Sequence, residues 1–383
     1  MADRNPFHYG SPVTGDEFAG RGQELKDIVS LMQNSINVAL ISPRRYGKTS
    51  LLEEAVITLE RATSKPAVIY VNALECVDFA ALASKMVTEA YRMPGMHWRR
   101  MKQSAEEFMK RFRVQPTFAV DNFNRLTFSL QPSLAAEDGV QVVEDIYQLL
   151  NDAATSRPAV LIIDEFQDVL RFNDRLPYLL KAFSDQYPDV CLTVAGSQQH
   201  LMSQLVISEH APLYGMTERI GLQPIPTDEM IPYLVERAAM GKKRLTSGTA
   251  RLIVDLAGPV PNDIQRLAHQ AYELAGRTID EGAVESAVQV VVDHESHLFE
   301  ERLQRLTAGQ ERVLRALAGG SEASIGSSRF ARGAGMATAT SVRGAIEALE
   351  KAELITRRNR QWVLVDPFFA EWLESISRDG LSG

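Results

Sequence analysis

Cysteine is scarce in this 383-residue sequence: the two thiols, Cys76 and Cys191, cannot build the multi-bridge framework of a small disulfide-stapled domain. Both sit in apolar, strand-like surroundings, which predicts buried, inert thiols. Long apolar runs are missing as well. None approaches the roughly 20 residues that a membrane-spanning helix needs, which excludes that class. The start, Met1-Ala2-Asp3-Arg4-Asn5-Pro6, lacks the basic and apolar stretches of a signal peptide and predicts a cytoplasmic chain. Positive charge is in deficit, with 41 Lys and Arg against 49 Asp and Glu. A net charge of −8 argues against a protein that coats nucleic acid without specificity, because such binding needs many phosphate-neutralising side chains. The deficit is uneven. From Leu303 onward, 11 basic residues face 9 acidic ones, a balance of +2 that leaves −10 for the rest. Internal repeats and low-complexity tracts are absent.

What is present is the composition of a globular protein, 45% hydrophobic and 23% charged, in a chain long enough for two or three domains. A Pro- and Gly-rich lead over residues 5–20 is followed by a helical pattern at 23–34 and the apolar strand Val38-Ala39-Leu40-Ile41. A helix is predicted from Lys48, with Leu51, Leu52, Ala55, Val56 and Leu59 on one face. Continuous apolar runs at residues 67–71, 159–163 and 190–195 read as further strands of a parallel sheet covered on both faces, which is expected to end near Leu222. The region 91–138 is less regular and reads as an insertion, with a basic helical piece over residues 98–113 and an alternating stretch at 126–130. That basic piece reads as a partner-facing surface or as a solvated face. Beyond Pro226 the pattern turns helical. Residues 308–317, 327–334 and 340–351 then read as three helices, followed by strand, turn and strand over 354–365 with Arg357, Arg358 and Arg360 on the turn. That order is a winged helix. The predicted organisation is therefore α/β: a core over residues 1–225 with the insertion, a helical lid over 226–300 and a winged helix over 301–383.

Ser42-Pro43-Arg44-Arg45-Tyr46-Gly47-Lys48-Thr49-Ser50 matches a phosphate-binding loop except at Ser42, which stands where the pattern has its first glycine. The physics asks for backbone N–H groups aimed at phosphates, a close approach at Gly47, a cation at Lys48 and a hydroxyl ligand for Mg²⁺ at Thr49. Asp164-Glu165 ends an apolar strand, at the edge of a parallel sheet where ligands of open α/β folds bind. Asp164 is placed to hold Mg²⁺, and Glu165 to polarise an attacking water as general base. Ala195-Gly196-Ser197-Gln198 ends another strand, where Ser197 or Gln198 senses a γ-phosphate or merely forms a turn. Arg219 and Arg266 are candidates for transition-state charge or for ordinary surface ion pairs. His294-Glu295-Ser296-His297 has the wrong spacing for a zinc helix and reads as a solvated face.

Together, Phe18-Ala19-Gly20-Arg21, Pro43-Arg44-Arg45-Tyr46-Gly47-Lys48-Thr49-Ser50, Asp164-Glu165-Phe166-Gln167, Ala195-Gly196-Ser197, Pro212-Leu213-Tyr214-Gly215 and Asp366-Pro367-Phe368-Phe369 resemble the archaeal-type AAA ATPases. That family lies close to the STAND signalling NTPases, and the resemblance spans nearly the whole chain. It implies a P-loop, AAA+ like core with a helical lid and a C-terminal winged helix, using ATP and Mg²⁺. It further implies that Phe18 and Arg21 lie near the adenine and that the turn Gly258-Pro259-Val260-Pro261 joins nucleotide state to the winged helix. Met216 stands where the family usually has an arginine, so an arginine role there passes to Arg219 if it exists at all.

Three functions fit. The first is an ATP-driven conformational switch coupled to the winged helix, working on a protein effector or through nucleotide-dependent self-association. The second is a DNA-handling ATPase that reads duplex DNA with Ser341 and Arg343 and sets Arg357, Arg358 and Arg360 on phosphates. The third is an ATP-stabilised, non-catalytic scaffold for a protein partner.

Overall fold

Unbroken runs of Val, Ile, Leu and Ala have no polar face to offer water, so they form strands buried on both sides. In the computed structural model, which describes residues 5–61, 65–93, 114–120, 126–132, 138–320, 327–358 and 361–379, these runs build the centre of one unit, Pro12–Pro224. Its strands are β1 (Val38–Ile41), β2 (Ala67–Asn72), the hairpin β3 (Val114–Val120) and β4 (Leu126–Pro132), β5 (Ala159–Asp164), β6 (Val190–Gly196) and β7 (Glu218–Gly221). Five of them form a parallel sheet in the order β2-β5-β6-β1-β7. Every residue of β5 and β6 is buried.

Helices α1 (Gly22–Gln33) and α2 (Lys48–Arg61) cover one face, packing Ile28, Met32, Leu51, Leu52, Ala55 and Leu59 against Val38, Leu40, Val160 and Ile162. The other face receives α3 (Phe79–Arg92), α4 (Asp138–Ala154) and α5 (Leu176–Gln186), which set Leu82, Met86, Ile146, Leu150 and Leu180 against Ile69, Leu161, Ile163 and Leu192. Each such side chain stabilises the fold by about 1.5–3 kcal/mol. The short α6 (Gln199–Met202) follows β6. Edge strand β7 ends at Gly221, next to the expected limit of the sheet at Leu222, and its burial is slight.

The second unit comprises Met1–Ser11 and Ile225–Gly383. It contains α7 (Thr227–Met240), α8 (Ser247–Ala257), α9 (Pro261–Leu274) and α10 (Glu281–Gln304), with a two-residue parallel pair, β8 (Arg244–Leu245) and β9 (Thr278–Ile279). The start of the chain belongs here: Phe7 is fully buried and edge-on to Tyr272, and Arg237 donates to the Pro6 carbonyl at 2.5 and 3.1 Å. The winged helix follows as α11 (Ala308–Ala318), α12 (Ser328–Gly333), α13 (Ala339–Lys351), the antiparallel pair β10 (Ile355–Arg358) and β11 (Gln361–Leu364), and α14 (Pro367–Asp379).

Side-chain caps open the helices where the sequence supplies them. Asp280 accepts from Ala283 N, Thr338 from Ser341 N, and Thr307 forms a reciprocal capping box with Gln310. The 24-residue α10 runs without interruption through positions 300 and 301 and sets Phe299 against Phe369 and Trp372 of α14, at 5.2 and 5.8 Å between ring centres. Arg357 and Arg358, expected on the turn of the wing, are the last two residues of β10, because ladder pairing with Trp362 and Gln361 extends that far. Arg360 and the basic stretch 98–113 lie outside the described residues.

Candidate functional site

Three strand ends, β1, β5 and β6, are adjacent in the sheet order, so the loops that follow them share one edge. After β1 the chain enters residues 42–47, and α2 begins at Lys48. Gly47 has φ +87° and Arg45 φ +66°, whereas Ser42 has no positive φ. The position where the loop pattern has its first glycine therefore needs no glycine here, which explains how serine is tolerated. Lys48 is nearly buried, and its ammonium donates to the Ser42 and Pro43 carbonyls, both at 3.2 Å. The lysine thus bridges the two ends of the loop.

Thr49 Oγ1 donates to Asp164 Oδ2 at 2.8 Å, bringing together the two residues assigned to the metal. Asp164 is fully buried, and burial pushes its carboxyl up, opposed by hydrogen bonds from Thr49, Tyr70 and the Glu165 amide. Glu53, one helical turn beyond Thr49, is also pushed up, by burial and then by the charge of Asp164. A hydroxyl and a carboxylate from different elements, with Glu53 and Glu165 nearby, are hard oxygen donors of the type Mg²⁺ selects.

Glu165 follows in the left-handed region (φ 48°, ψ 45°), a conformation that costs a non-glycine residue about 1–3 kcal/mol and that clusters at functional sites. Its Oε2 accepts two hydrogen bonds, from Ser197 Oγ at 2.7 Å and Gln167 Nε2 at 2.6 Å. Of the two candidates at the end of β6, Ser197 is the one whose side chain reaches Glu165. The Gln167 amide also reaches Asp168 at 3.2 Å, while its buried Oε1 has no partner. Gly196 makes room for this: a Cβ there would collide with the Gln167 carboxamide oxygen and the Met202 thioether.

The remaining expected residues are placed as follows. Arg21, nearly buried with φ +66°, donates to the Tyr46 carbonyl at 3.2 Å and to Glu24, and so braces the phosphate loop from outside. Phe18 packs against the core on the α1–α2 face. Ser50 is buried, and its hydroxyl accepts from Val13 N at 3.1 Å. Arg44 and Arg45 are exposed, Tyr46 is buried, and Pro43 is intermediate. Arg219 lies on edge strand β7 in register with Ala39, two residues short of the sheet edge that carries the loop, and its side chain is exposed. Arg266 is engaged inside the second unit, bonded to Glu295 at 2.6 Å and lying over the Phe368 ring at 5.8 Å.

In the winged helix, Ser341 and Arg343 are exposed, and Ser341 shares its hydroxyl with Thr338 at 2.9 Å. Arg357 stacks on Trp362 at 5.0 Å. Gly258 adopts φ +70°, ψ −170°, and a Cβ there would lie 3.6 Å from Arg358 Nη1 and 3.9 Å from Pro367. The glycine turn between α8 and α9 therefore packs against the wing.

Two residues in contact with the site carry no role in the motif reading: Tyr70 and Gln167. The sequence signals are a phenol among the aliphatic residues of β2 and, for Gln167, its place in the Asp164-Glu165-Phe166-Gln167 segment that carries the resemblance.

Comparison with known proteins follows the same lines. A search of curated proteins gives no match. Among solved structures the chain is similar to the Walker-type ATPase of Pyrococcus abyssi, at 18% identity and a TM-score of 0.65, covering 96% of this chain and 99% of that one. The ORC2 protein of Aeropyrum pernix, in ADPNP and ADP complexes, is similar at 16% identity and a TM-score of 0.61, over 100% and 99% of the two chains. The ORC1 protein of the same organism, solved in complex with DNA, matches at 16% and 0.50 over 95% of each chain. Such identities establish the fold. Residues 297–375 match the family described as "Probable winged helix domain". Residues 18–267, well over half of the sequence, match the family described as an ATPase domain predominantly from Archaea, and the chain belongs to that ATPase family.

Proposed function

We propose that this ATPase is a Mg²⁺-dependent conformational switch whose nucleotide state is transmitted to the winged helix. The observation that carries the catalytic half is the convergence at one sheet edge of Lys48, Thr49 and Asp164 with Glu165 and Ser197. Lys48 neutralises phosphate oxygens, and backbone N–H groups of the loop and the first turn of α2 orient them. Thr49 and Asp164 would hold Mg²⁺, which supplies charge neutralisation at the phosphates. Glu165 accepts the proton of the attacking water. Ser197, whose hydroxyl is bonded to that carboxylate, is placed to exchange this partner for a γ-phosphate oxygen.

The coupling half is supported by the packing inside the second unit. Phe299 of α10 shares an aromatic cluster with α14, Arg302 pairs with Asp366 at 3.3 Å, and the Gly258 turn abuts Arg358. A displacement of the helical region is therefore passed to the winged helix as to one packed body.

The test compares native chain, Lys48→Ala and Glu165→Gln for Mg²⁺-ATP binding and turnover, and follows amide exchange across residues 255–262 and 355–364 with ADP and with ATP. Lys48→Ala is expected to lose binding, and Glu165→Gln to bind without turning over and to show ATP-specific protection in both segments. Turnover by Glu165→Gln at the native rate would remove Glu165 as base. Identical exchange with ADP and ATP would remove the switch.

A DNA-handling role is the second reading. It draws on the exposed Arg343 and on the similarity to a protein solved with DNA. Binding to duplex DNA that weakens steeply with salt and is lost in Arg343→Ala would favour it.

A further inference from the structure

Strands β2 and β5 pair in parallel, with Tyr70 opposite Ile162 and Asn72 opposite Asp164. Because side chains alternate, Tyr70 and Asp164 stand on the same face of the sheet, diagonal to one another, at a distance a long side chain can span. That is the face covered by α1 and α2, where the comparable positions Val68, Val160 and Ile162 are aliphatic. Position 70 instead carries a phenol. Its ring packs with the aliphatic cluster and its hydroxyl donates to Asp164 Oδ2 at 2.9 Å, the same oxygen that accepts from Thr49.

We infer that Tyr70 is a positioning residue for the metal site: its hydroxyl holds the Asp164 carboxylate in place at the oxygen that also accepts from Thr49. This rests on the reading of Thr49 and Asp164 as the metal-holding pair.

Asp164 Oδ1 accepts from the Glu165 amide at 2.8 Å, and Oδ2 accepts from Thr49 and Tyr70. The Thr49 oxygen can ligate a cation through its lone pairs while its proton stays directed at Oδ2, so Thr49 would tie that oxygen to the metal and Tyr70 would hold it from β2. The environment makes that donor matter. Asp164 is fully buried, with Glu165 adjacent in sequence and Glu53 near enough to raise its own proton affinity in response to Asp164. A buried carboxylate in such company needs hydrogen bonds to stay charged and fixed. A phenol is neutral near pH 7, so toward the carboxylate Tyr70 is a donor. Groups that orient a metal ligand from behind commonly change metal affinity by about 10–100-fold when removed.

The experiment titrates Mg²⁺ into protein holding a fluorescent ADP analogue, so that no turnover is involved, and compares native chain, Tyr70→Phe and Asp164→Asn. Phenylalanine keeps the ring packing and deletes only the hydroxyl; a melting curve checks that it does. The expected result for Tyr70→Phe is a Mg²⁺ half-saturation raised about tenfold, with affinity for the analogue in EDTA unchanged. Unchanged Mg²⁺ half-saturation overturns the inference. An equal loss of affinity with and without Mg²⁺ also overturns it, because the hydroxyl would then serve the loop and not the metal. If Asp164→Asn retains full Mg²⁺ enhancement, the underlying metal assignment is wrong, whatever Tyr70→Phe does.

Discussion

Replacing Gln167 by methionine tests whether a buried amide serves the reaction and not the fold. The substitution keeps an unbranched side chain of similar length in the space over Gly196. It removes two hydrogen bonds from Nε2, to Glu165 at 2.6 Å and to Asp168 at 3.2 Å. A bond to a charged group contributes about 1.5–3 kcal/mol, and the longer of these two lies at the weak end. The same substitution also removes the Gln167 Oε1, a buried acceptor without a partner, whose burial costs about 1–3 kcal/mol. The two effects oppose each other. Neither carboxylate is abandoned, since Glu165 keeps Ser197 and Asp168 keeps Arg171 at 3.1 Å. Stability, read from urea denaturation, is therefore expected to change by less than about 2 kcal/mol. Turnover is not protected by any such cancellation. Loss of about 1.4 kcal/mol of orientation at the general base corresponds to roughly a tenfold fall in kcat, with the KM for ATP unchanged. Steady-state phosphate release measures both constants. A native kcat, or a loss of stability well beyond 2 kcal/mol with kcat and KM falling together, would refute the reasoning.

Other parts of the molecule give sharper stability tests. Leu161, fully buried in the central strand β5, is expected to cost about 2–5 kcal/mol as Leu161→Ala, since neighbours on both sides of the sheet cannot collapse onto the cavity; a melting temperature equal to the native one would contradict this packing. Gly258→Ala is expected to lose about 1–3 kcal/mol, because φ +70° with ψ −170° is a region only glycine occupies without strain, and an unchanged denaturation midpoint would contradict it. Burial pushes the Cys191 thiol up to about 12 and raises Cys76 above its ordinary value, so thiolate alkylation is suppressed at both. Iodoacetamide at about pH 8 is expected to modify both only after denaturation, and rapid labelling of the folded chain would contradict their burial.

Elements whose side chains all face apolar neighbours were legible from sequence. β1, β5 and β6 are continuous aliphatic runs, and a strand followed by Gly47-Lys48-Thr49 and an amphipathic helix has few other interpretations. Edge strand β7 carries no such run. Glu218 and Arg219 face solvent, and pairing with β1 supplies what propensity does not. Arg219, expected to serve transition-state charge or a surface ion pair, is set by register two positions below the edge that carries the phosphate loop. Ser42 posed the opposite problem: a departure from pattern that matters only if the backbone there is left-handed, which a sequence does not display. Tyr70 and Gln167 were hidden for a third reason. Tyr70 meets Asp164 from 94 residues away, and the side chain of Gln167 is aimed by the left-handed turn at Glu165. Both contacts depend on three-dimensional placement, which the linear motif does not display.

The second unit constrains which of the two readings of the winged helix is economical. Asp366 accepts from the Phe368 and Phe369 amides with Oδ1, capping α14, while Oδ2 pairs with Arg302 at the end of α10. Arg266 of α9 meets Glu295 of α10 and the Phe368 ring, so α9, α10 and α14 converge on one cluster. The winged helix is built into the helical region and not hung from it. A module that only tethers the ATPase to DNA would not need this, since a flexible linker would do as well. On the exposed side of α13, Arg343 and Lys351 stand with Glu347 and Glu350, two charges of each sign, which cancel much of the attraction to a phosphate backbone. Arg357 is occupied on Trp362, and Arg358 lies against the Gly258 turn. Basic groups that would form a phosphate-binding wing are thus partly spent on internal contacts, and the contact at Gly258 lies on the route between helical region and wing. Among the described residues of α13 and the wing, this arrangement suits the proposed transmission of a conformational state better than electrostatic capture of a duplex.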